Sequence, residues 1–203
     1  MTGTEVESNA TRRDRPLVQN ALALSHQYAR LLILPGDTVI DATCGNGGDT
    51  EFLAGLVGPD GHVIGFDIQA EAIARTTERL QKAGLLERCQ LHVASHDQML
   101  ERVKSGVRCV LFNLGYLPRG DHAIGTRAET TLPALAQALA LLSVGGAVLI
   151  CLYYGGDSGF DEHRAVLDYI RTLPVRQFAV QKIEMANAIN CAPIFICCEK
   201  LKN

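Results

Sequence analysis

The segment Thr38-Val-Ile-Asp41 is a short β-branched run that ends on a carboxylate and opens into the glycine-rich stretch Gly45-Asn-Gly47. It constrains the fold more than any other part of the chain. A buried strand feeding such a loop and then a helical pattern over residues 50–57 is the first half of a βαβ unit. The turn Gly58-Pro-Asp-Gly61 leads to a second strand at 62–67 and an amphipathic helix at 70–83, which complete it. The alternation continues with a strand at 89–94, a short helix at 97–104, a strand at 107–113 and a helix near 129–142. Ser143-Val-Gly-Gly-Ala147 then interrupts the pattern before a very apolar strand at 148–153, a helix at 159–171, and strands at 175–182 and 194–199.

Strands that alternate with helices of this length predict a parallel sheet covered by helices on both faces. Only residues 186–192 lie between the last two strands, with no helical pattern, so these strands are expected to pair antiparallel as a hairpin at one edge. The expected fold is therefore α/β and Rossmann-like, with a seven-stranded, mostly parallel sheet and an antiparallel terminal hairpin. That is the architecture of class I methyltransferases.

Ahead of the first strand, Leu17, Ala21, Leu24, Tyr28 and Leu31 recur at helical spacing until Leu34-Pro-Gly-Asp37 stops them, predicting a helix from about residue 17. Residues 1–15 are polar, carry Arg12, Arg13 and Arg15, and read as a flexible tail, which leaves 16–203 as one expected domain. The first residues have neither a basic nor an apolar stretch, so no export signal and a cytoplasmic location are expected. No apolar run is long enough to span a bilayer, and no membrane partner is expected. The seven cysteines are an odd number without a C-x-x-C pair, which argues for reduced thiols and against a zinc site; no metal is expected. A net charge of −3 excludes a generally cationic surface, so any contact with nucleic acid must be local. A homodimer is compatible with all of this.

The loop after the first strand brings backbone N–H groups close to a ligand. A dinucleotide fingerprint starting at Gly45 would need glycine at position 50, where Thr50 stands, and Asp49 would repel a pyrophosphate. S-adenosylmethionine has no phosphate and carries a sulfonium and an amino cation, which suit Asp41 and Asp49. Asp67 ends the second strand where a carboxylate can take ribose hydroxyls. The expected cofactor site therefore comprises Asp41, Thr43, Gly45, Asn46, Gly47, Asp49, Thr50, Asp67, Ile68 and Gln69, with His96 and Asp97 toward the adenine and Asn113 at its far edge.

Asn113-Leu114-Gly115-Tyr116 ends the fourth strand and looks like a variant of the [Asp/Asn]-Pro-Pro-[Tyr/Phe] motif of amino-group methylators. An asparagine oxygen and a nearby carbonyl can accept hydrogen bonds from an amine and aim its lone pair. These four residues are the expected catalytic segment. Cys109 lies inside the apolar strand rather than on its rim, which disfavours covalent chemistry at a pyrimidine carbon. For the proton of the amine, His26, His96, Asp97 and solvent are all open. His26, Tyr116, Arg119, Tyr153 and Tyr154 are the expected substrate contacts, the tyrosines by stacking on a base, and Arg12, Arg13, Arg15, Arg119 and Arg127 are candidate phosphate contacts.

The string Val39-Ile-Asp-Ala-Thr-Cys-Gly-Asn-Gly-Gly-Asp-Thr50 with Phe52-Leu-Ala54 resembles the small bacterial methyltransferases named as rRNA methylases, the YtqB or MnmM family. Phe112-Asn-Leu-Gly-Tyr-Leu-Pro118, Gly120-Asp121, Tyr153-Tyr-Gly155, Asn190-Cys-Ala-Pro193 and Glu199-Lys200 follow in that family's order. The chain departs from it at Gly48, where the family usually has histidine, at Gly155-Gly-Asp157 and at Ala192. The resemblance implies methylation of 5-aminomethyl-2-thiouridine at the tRNA wobble position, with the anticodon stem-loop as partner. An rRNA or small-molecule methyltransferase of the same fold, an NAD(P)-linked oxidoreductase and a non-catalytic binding module are the competing readings.

Overall fold

The computed structural model describes residues 17–115, 125–153, 156–188 and 191–203. The expected N-terminal tail, with Arg12, Arg13 and Arg15, lies outside them, as do Tyr116, Arg119 and Tyr154. The strands are β1 (Thr38–Asp41), β2 (His62–Asp67), β3 (Cys89–Val93), β4 (Val107–Leu114), β5 (Leu142–Leu152), β6 (Phe178–Ile183) and β7 (Ile194–Lys200). The helices are α1 (Ala21–Leu32), α2 (Gly48–Val57), α3 (Ala70–Ala83), α4 (Ala128–Leu141) and α5 (Gly156–Arg171). One sheet holds all seven strands in the order β3-β2-β1-β4-β5-β7-β6. β1 to β5 run parallel, and β7 pairs antiparallel with both β5 and β6, which gives the expected terminal hairpin.

From β1 the chain first builds outward through β2 and β3, then returns to place β4 on the other side of β1. The loops leaving β1 and β4 therefore diverge, and a crevice opens beyond the carboxyl ends of these two strands. The register puts Asp41 beside Gly65 on one flank and Leu111 on the other, while Asn113 lies beside Cys151.

Side chains alternate across β4 with the period of a strand buried on both faces. Val110, Phe112 and Leu114 join Phe66, Leu135 and Ile150 in one apolar cluster, whereas Cys109 and Leu111 join Val39, Leu53, Leu80, Leu149 and Phe195 in the other. Helices α4 and α5 contribute to the first cluster through Leu135 and Val166, and α1, α2 and α3 to the second through Ala29, Leu53 and Leu80. Among the described residues no helix is long and apolar enough to cross a membrane.

Helix α1 begins at Ala21, not at residue 17, because the Asn20 side chain caps it by accepting the Ala23 N–H at 2.8 Å. Its buried face is the small-residue row Ala21, Ser25 and Ala29, while Leu17 and Leu31 are each 78% exposed. Small residues let the helix lie close on the sheet, and Tyr28 reaches from it to Phe195, edge-on with ring centroids 4.8 Å apart, and donates its hydroxyl to Gln181 Oε1 of β6. Two further expectations change. The helix expected at 97–104 is a pair of 3-10 turns over His96–Glu101, kinked at Gln98. The glycines at 145 and 146 do not end β5's pairing but mark a bulge within a strand that starts at Leu142, with the register slipping between Val107 and Cys109 and Gly145 at φ 76°.

Phe195 is fully buried on β7, between β5 and β6 and under α1. Phe195→Ala is expected to lower the unfolding free energy by about 3–5 kcal/mol. Denaturant titration checks this, and a loss below about 1 kcal/mol would show that α1 does not depend on this contact.

Candidate active site

Asp41 closes β1 inside the protein, at 0% exposure. Its Oδ2 accepts the Thr50 hydroxyl at 2.6 Å and its Oδ1 accepts the Thr43 N–H at 3.0 Å, so one carboxylate ties the strand end to the first turn of α2. The loop between them passes through Gly47 at φ 76°, where a Cβ would lie 2.9 Å from the Thr76 Cα; only glycine lets this loop rest on α3. Asp67, at the end of β2, accepts the Gly45 N–H with Oδ2 and the Gln69 N–H with Oδ1, both at 2.9 Å. The loop thus has a fixed shape before any ligand arrives. Asn46 in this loop and Ile68 beside Asp67 are exposed, Ile68 at 57%.

The structure also joins residues that the sequence reading had assigned to separate roles. Asn113 Nδ2 donates to Asp49 Oδ2 at 2.6 Å, and His26 Nε2 lies 2.6 Å from Asp49 Oδ1. The Asn113 backbone N–H donates to the Thr43 hydroxyl at 2.8 Å, which couples the end of β4 to the loop after β1. The Asn113 Oδ1 is buried and has no hydrogen-bond partner among the described residues. A buried acceptor left unpaired costs about 1–3 kcal/mol, so this oxygen suits a hydrogen-bond donor brought into the crevice.

Tyr153 follows β5 beside this group, its Cβ 3.3 Å from where a Cβ on Gly115 would stand, so the absence of a side chain at Gly115 admits the tyrosine to the crevice. Burial, with help from Cys151 and Asp49, raises its phenol pKa above the usual value. His96 is only 8% exposed and packs edge-on against Phe112 at 5.8 Å, and burial lowers its pKa, so it is a neutral imidazole enclosed behind the loop. Its Nε2 is a second buried atom without a partner among the described residues. Asp97 is half-buried next to it, with its backbone oxygen accepting Gln137 Nε2. Leu114 is core rather than rim, at 0% exposure.

Thr126 and Glu162, absent from the sequence reading, brace the end of β4. Gly115 and Thr126 exchange hydrogen bonds, the Gly115 N–H to the Thr126 hydroxyl at 2.9 Å and the Thr126 N–H to the Gly115 carbonyl at 3.0 Å. Thr126 in turn donates to Glu162 Oε2 at 2.7 Å, and Thr131 donates to Oε1 at 2.6 Å. Glu162, on α5 and 2% exposed, thereby ties the start of α4 to Thr126, which in turn holds Gly115 at the end of β4. Nothing local in the sequence marks it, because its partners are distant in the chain.

Three carboxylates, Asp41, Asp49 and Asp67, lie together at the crevice, and among the described residues none is paired with a lysine or arginine; Asp49 meets His26 and Asn113 instead. The negative potential is visible in Asp41, whose pKa is pushed up from 3.8 to about 7, first by burial and then by Asp49, against the hydrogen bonds from Thr50 and Thr43. A cationic ligand relieves this strain and a pyrophosphate worsens it, so the donor set fits S-adenosylmethionine and not a dinucleotide.

The folded state binds the Asp41 proton more tightly than the unfolded chain does. Its stabilising contribution is therefore full below the unfolded value of 3.8 and is lost as pH rises through about 7. Asp41→Asn removes that loss, so its unfolding free energy relative to wild type should rise by on the order of a few kcal/mol between about pH 4 and pH 8. Denaturant titrations of both ligand-free proteins across that range check it, and a pH-independent difference would refute it.

Residues 63–199 match the sequence profile of the family described as Putative rRNA methylase. A chloroplastic tRNA (mnm(5)s(2)U34)-methyltransferase of Arabidopsis thaliana is 37% identical over 195 residues, covering 91% of this chain and 71% of that protein. Among solved structures, an rRNA methylase from Clostridium thermocellum, titled as a putative one, superposes with a TM-score of 0.90 at 48% identity, covering 91% of this chain and all of that one. A methyltransferase from Streptococcus mutans, also titled as putative and solved in complex with SAH, gives a TM-score of 0.84 at 34% identity over 91% of this chain and all of that one. With two thirds of its length matched by the family profile and its whole architecture shared with these relatives, the chain belongs to the Putative rRNA methylase family of class I methyltransferases.

Proposed function

We propose that this enzyme transfers a methyl group from S-adenosylmethionine to the exocyclic amine of 5-aminomethyl-(2-thio)uridine at the wobble position of tRNA, giving the methylaminomethyl nucleoside. The observation that carries this reading is the state of Asn113: its nitrogen is committed to Asp49, and its oxygen, at the end of β4, is buried and without a partner among the described residues. An acceptor atom held in this way calls for a hydrogen-bond donor, and a primary amine supplies one while leaving its lone pair free. The name of the Arabidopsis relative, a tRNA (mnm(5)s(2)U34)-methyltransferase, is consistent with that substrate.

In this reading Asp67 takes the ribose hydroxyls with the lone pairs left over from Gly45 and Gln69. Asp41 and Asp49 face the cationic groups of the cofactor, and Thr43, Gly45, Asn46, Gly47 and Thr50 shape the loop that carries it. Ile68, Gln69, His96 and Asp97 border the adenine. When bound, S-adenosylmethionine supplies the electrophilic methyl group. The chain's own task is to orient: Asn113 Oδ1 accepts an amine N–H, and the lone pair is left facing the cofactor. Tyr153 offers a ring for the base to stack on; Tyr116 and Tyr154, which the sequence nominates for the same role, lie outside the described residues. A crevice lined by carboxylates repels phosphate, so the anticodon stem-loop must be held from outside it by arginines, of which Arg119 and Arg127 flank the acceptor side in sequence.

Purified enzyme, S-adenosylmethionine and tRNA bearing the aminomethyl group should give the methylaminomethyl nucleoside by mass spectrometry, and tRNA lacking the amine should stay unmodified. A methyl group on ribose, on another base or only on a small metabolite would sink the substrate assignment while sparing the cofactor. Asn113→Ala should keep cofactor affinity within a few-fold but lower kcat roughly a hundredfold, since it removes only positioning; unchanged kcat would remove Asn113 from the mechanism.

A further inference from the structure

An asparagine side chain has nearly the same shape when its amide is turned over, but the two orientations present opposite chemistry, an acceptor in one and a donor in the other. For transfer to an amine only the acceptor orientation works. A donor N–H at that place would compete for the lone pair that must attack. Something must hold the Asn113 amide one way round, and shape alone cannot.

Asp49 does so, because an ionised carboxylate only accepts, and its Oδ2 lies 2.6 Å from the Asn113 nitrogen. The carboxylate needs its own anchor, and its other oxygen meets His26 Nε2 at 2.6 Å. His26 comes from α1, outside the βαβ unit that forms the cofactor loop. Its ring stacks on Phe52 with centroids 3.9 Å apart and planes 12° from parallel. Phe52 lies one turn after Asp49 on α2, so one helix supplies both the hydrogen-bond partner and the ring that fixes the imidazole. The Arg30 guanidinium, one turn after His26 on α1, lies 4.7 Å from the Phe52 ring centroid and adds a second link between the same two helices.

We infer that His26 is a positioning residue that sets hydrogen-bond polarity across the site: its Nε2–H donates to Asp49, Asp49 accepts from the Asn113 nitrogen, and the Asn113 oxygen is thereby presented to the acceptor group. The inference rests on the amine reading above. It deepens that reading, because a site locked in this polarity selects acceptors that bring a hydrogen-bond donor, as an amine does, and turns away those that offer only lone pairs.

The relay can be inverted without losing its output. Asn113→Asp alone sets two carboxylates against each other and should lower kcat roughly a hundredfold. Adding Asp49→Asn restores complementarity: the His26 N–H donates to the new amide oxygen, the new amide nitrogen donates to position 113, and the outer oxygen there again accepts from the amine. The double variant should recover roughly tenfold or more of the lost kcat, and His26→Phe, which keeps the ring on Phe52 but cannot donate, should abolish that recovery. In the otherwise wild-type enzyme His26→Phe should lower kcat roughly tenfold with calorimetric S-adenosylmethionine affinity within a few-fold.

Nitrogen-15 NMR of the ligand-free wild-type protein gives a readout that does not need the substrate: His26 should carry its proton on Nε2, and one Asn113 side-chain N–H should be shifted downfield, the latter shift shrinking in His26→Phe. A double variant no faster than Asn113→Asp, a His26→Phe enzyme with wild-type kcat, or a His26 protonated only on Nδ1 would each overturn the relay. Failure of wild-type enzyme to methylate aminomethyl tRNA would instead overturn the substrate reading, with the NMR result still deciding the relay.

Discussion

A fully buried carboxylate at the end of a central strand is an expensive group to keep, and Asp41 is held there by a hydroxyl and a backbone N–H rather than by a cation. The rest of the site is arranged around that constraint. Thr50 must be the third residue of α2, which fixes where the helix begins, and Gly47 must carry a left-handed turn against Thr76 for the helix to begin there. The same helix start brings Asp49 to Asn113 and Phe52 to His26. Asp67 then closes the loop from the neighbouring strand. The strand-order reversal at β1 creates the crevice, and Asp41 fixes the shape of its wall.

Most of the fold was legible because its signals are local. Apolar runs ending in Asp41, Asp67 and Asn113 gave three strands and, at the same time, the three carboxyl-terminal positions where such a sheet binds ligands. Misread boundaries came where a tertiary contact outweighs a local preference. The apolar stripe expected for α1 holds in its middle, where Ala21, Leu24 and Tyr28 pack on the core, and fails at its ends, where Leu17 precedes the helix and Leu31 is exposed, because Ser25 and Ala29 turn a small-residue face to the sheet. The glycines near 145 read as an interruption, yet a strand with partners on both sides tolerates them as a bulge.

The candidate site was legible as a set of residue types but not as a network. Gly45, Gly47, Asp67 and Asn113 announce themselves by their place after strands. The bond from His26 to Asp49 joins a helix before the first strand to one after it, and a lone histidine on an amphipathic helix carries no mark of that pairing. Glu162 is a stronger case: a glutamate in an amphipathic helix reads as solvent-facing, and only the fold reveals it under two threonine hydroxyls. Burial holds its pKa above the usual carboxylate value, while both threonine bonds oppose that rise.

These two hidden contacts divide the work of positioning between the helices that flank the central unit. Helix α1 reaches the reacting edge through His26 and Asp49, and helix α5 reaches it through Glu162 and Thr126, so Asn113 and Gly115 are braced from opposite ends of the chain. The βαβ unit with its carboxylates serves any ligand with the charge of S-adenosylmethionine and carries little information about the acceptor. In the proposed reading, choice of acceptor lies instead in the polarity of the Asn113 amide, which Asp49 and His26 set. His26 stands outside the cofactor loop, so an intact loop points to the cofactor while the acceptor has to be read from hydrogen-bond direction.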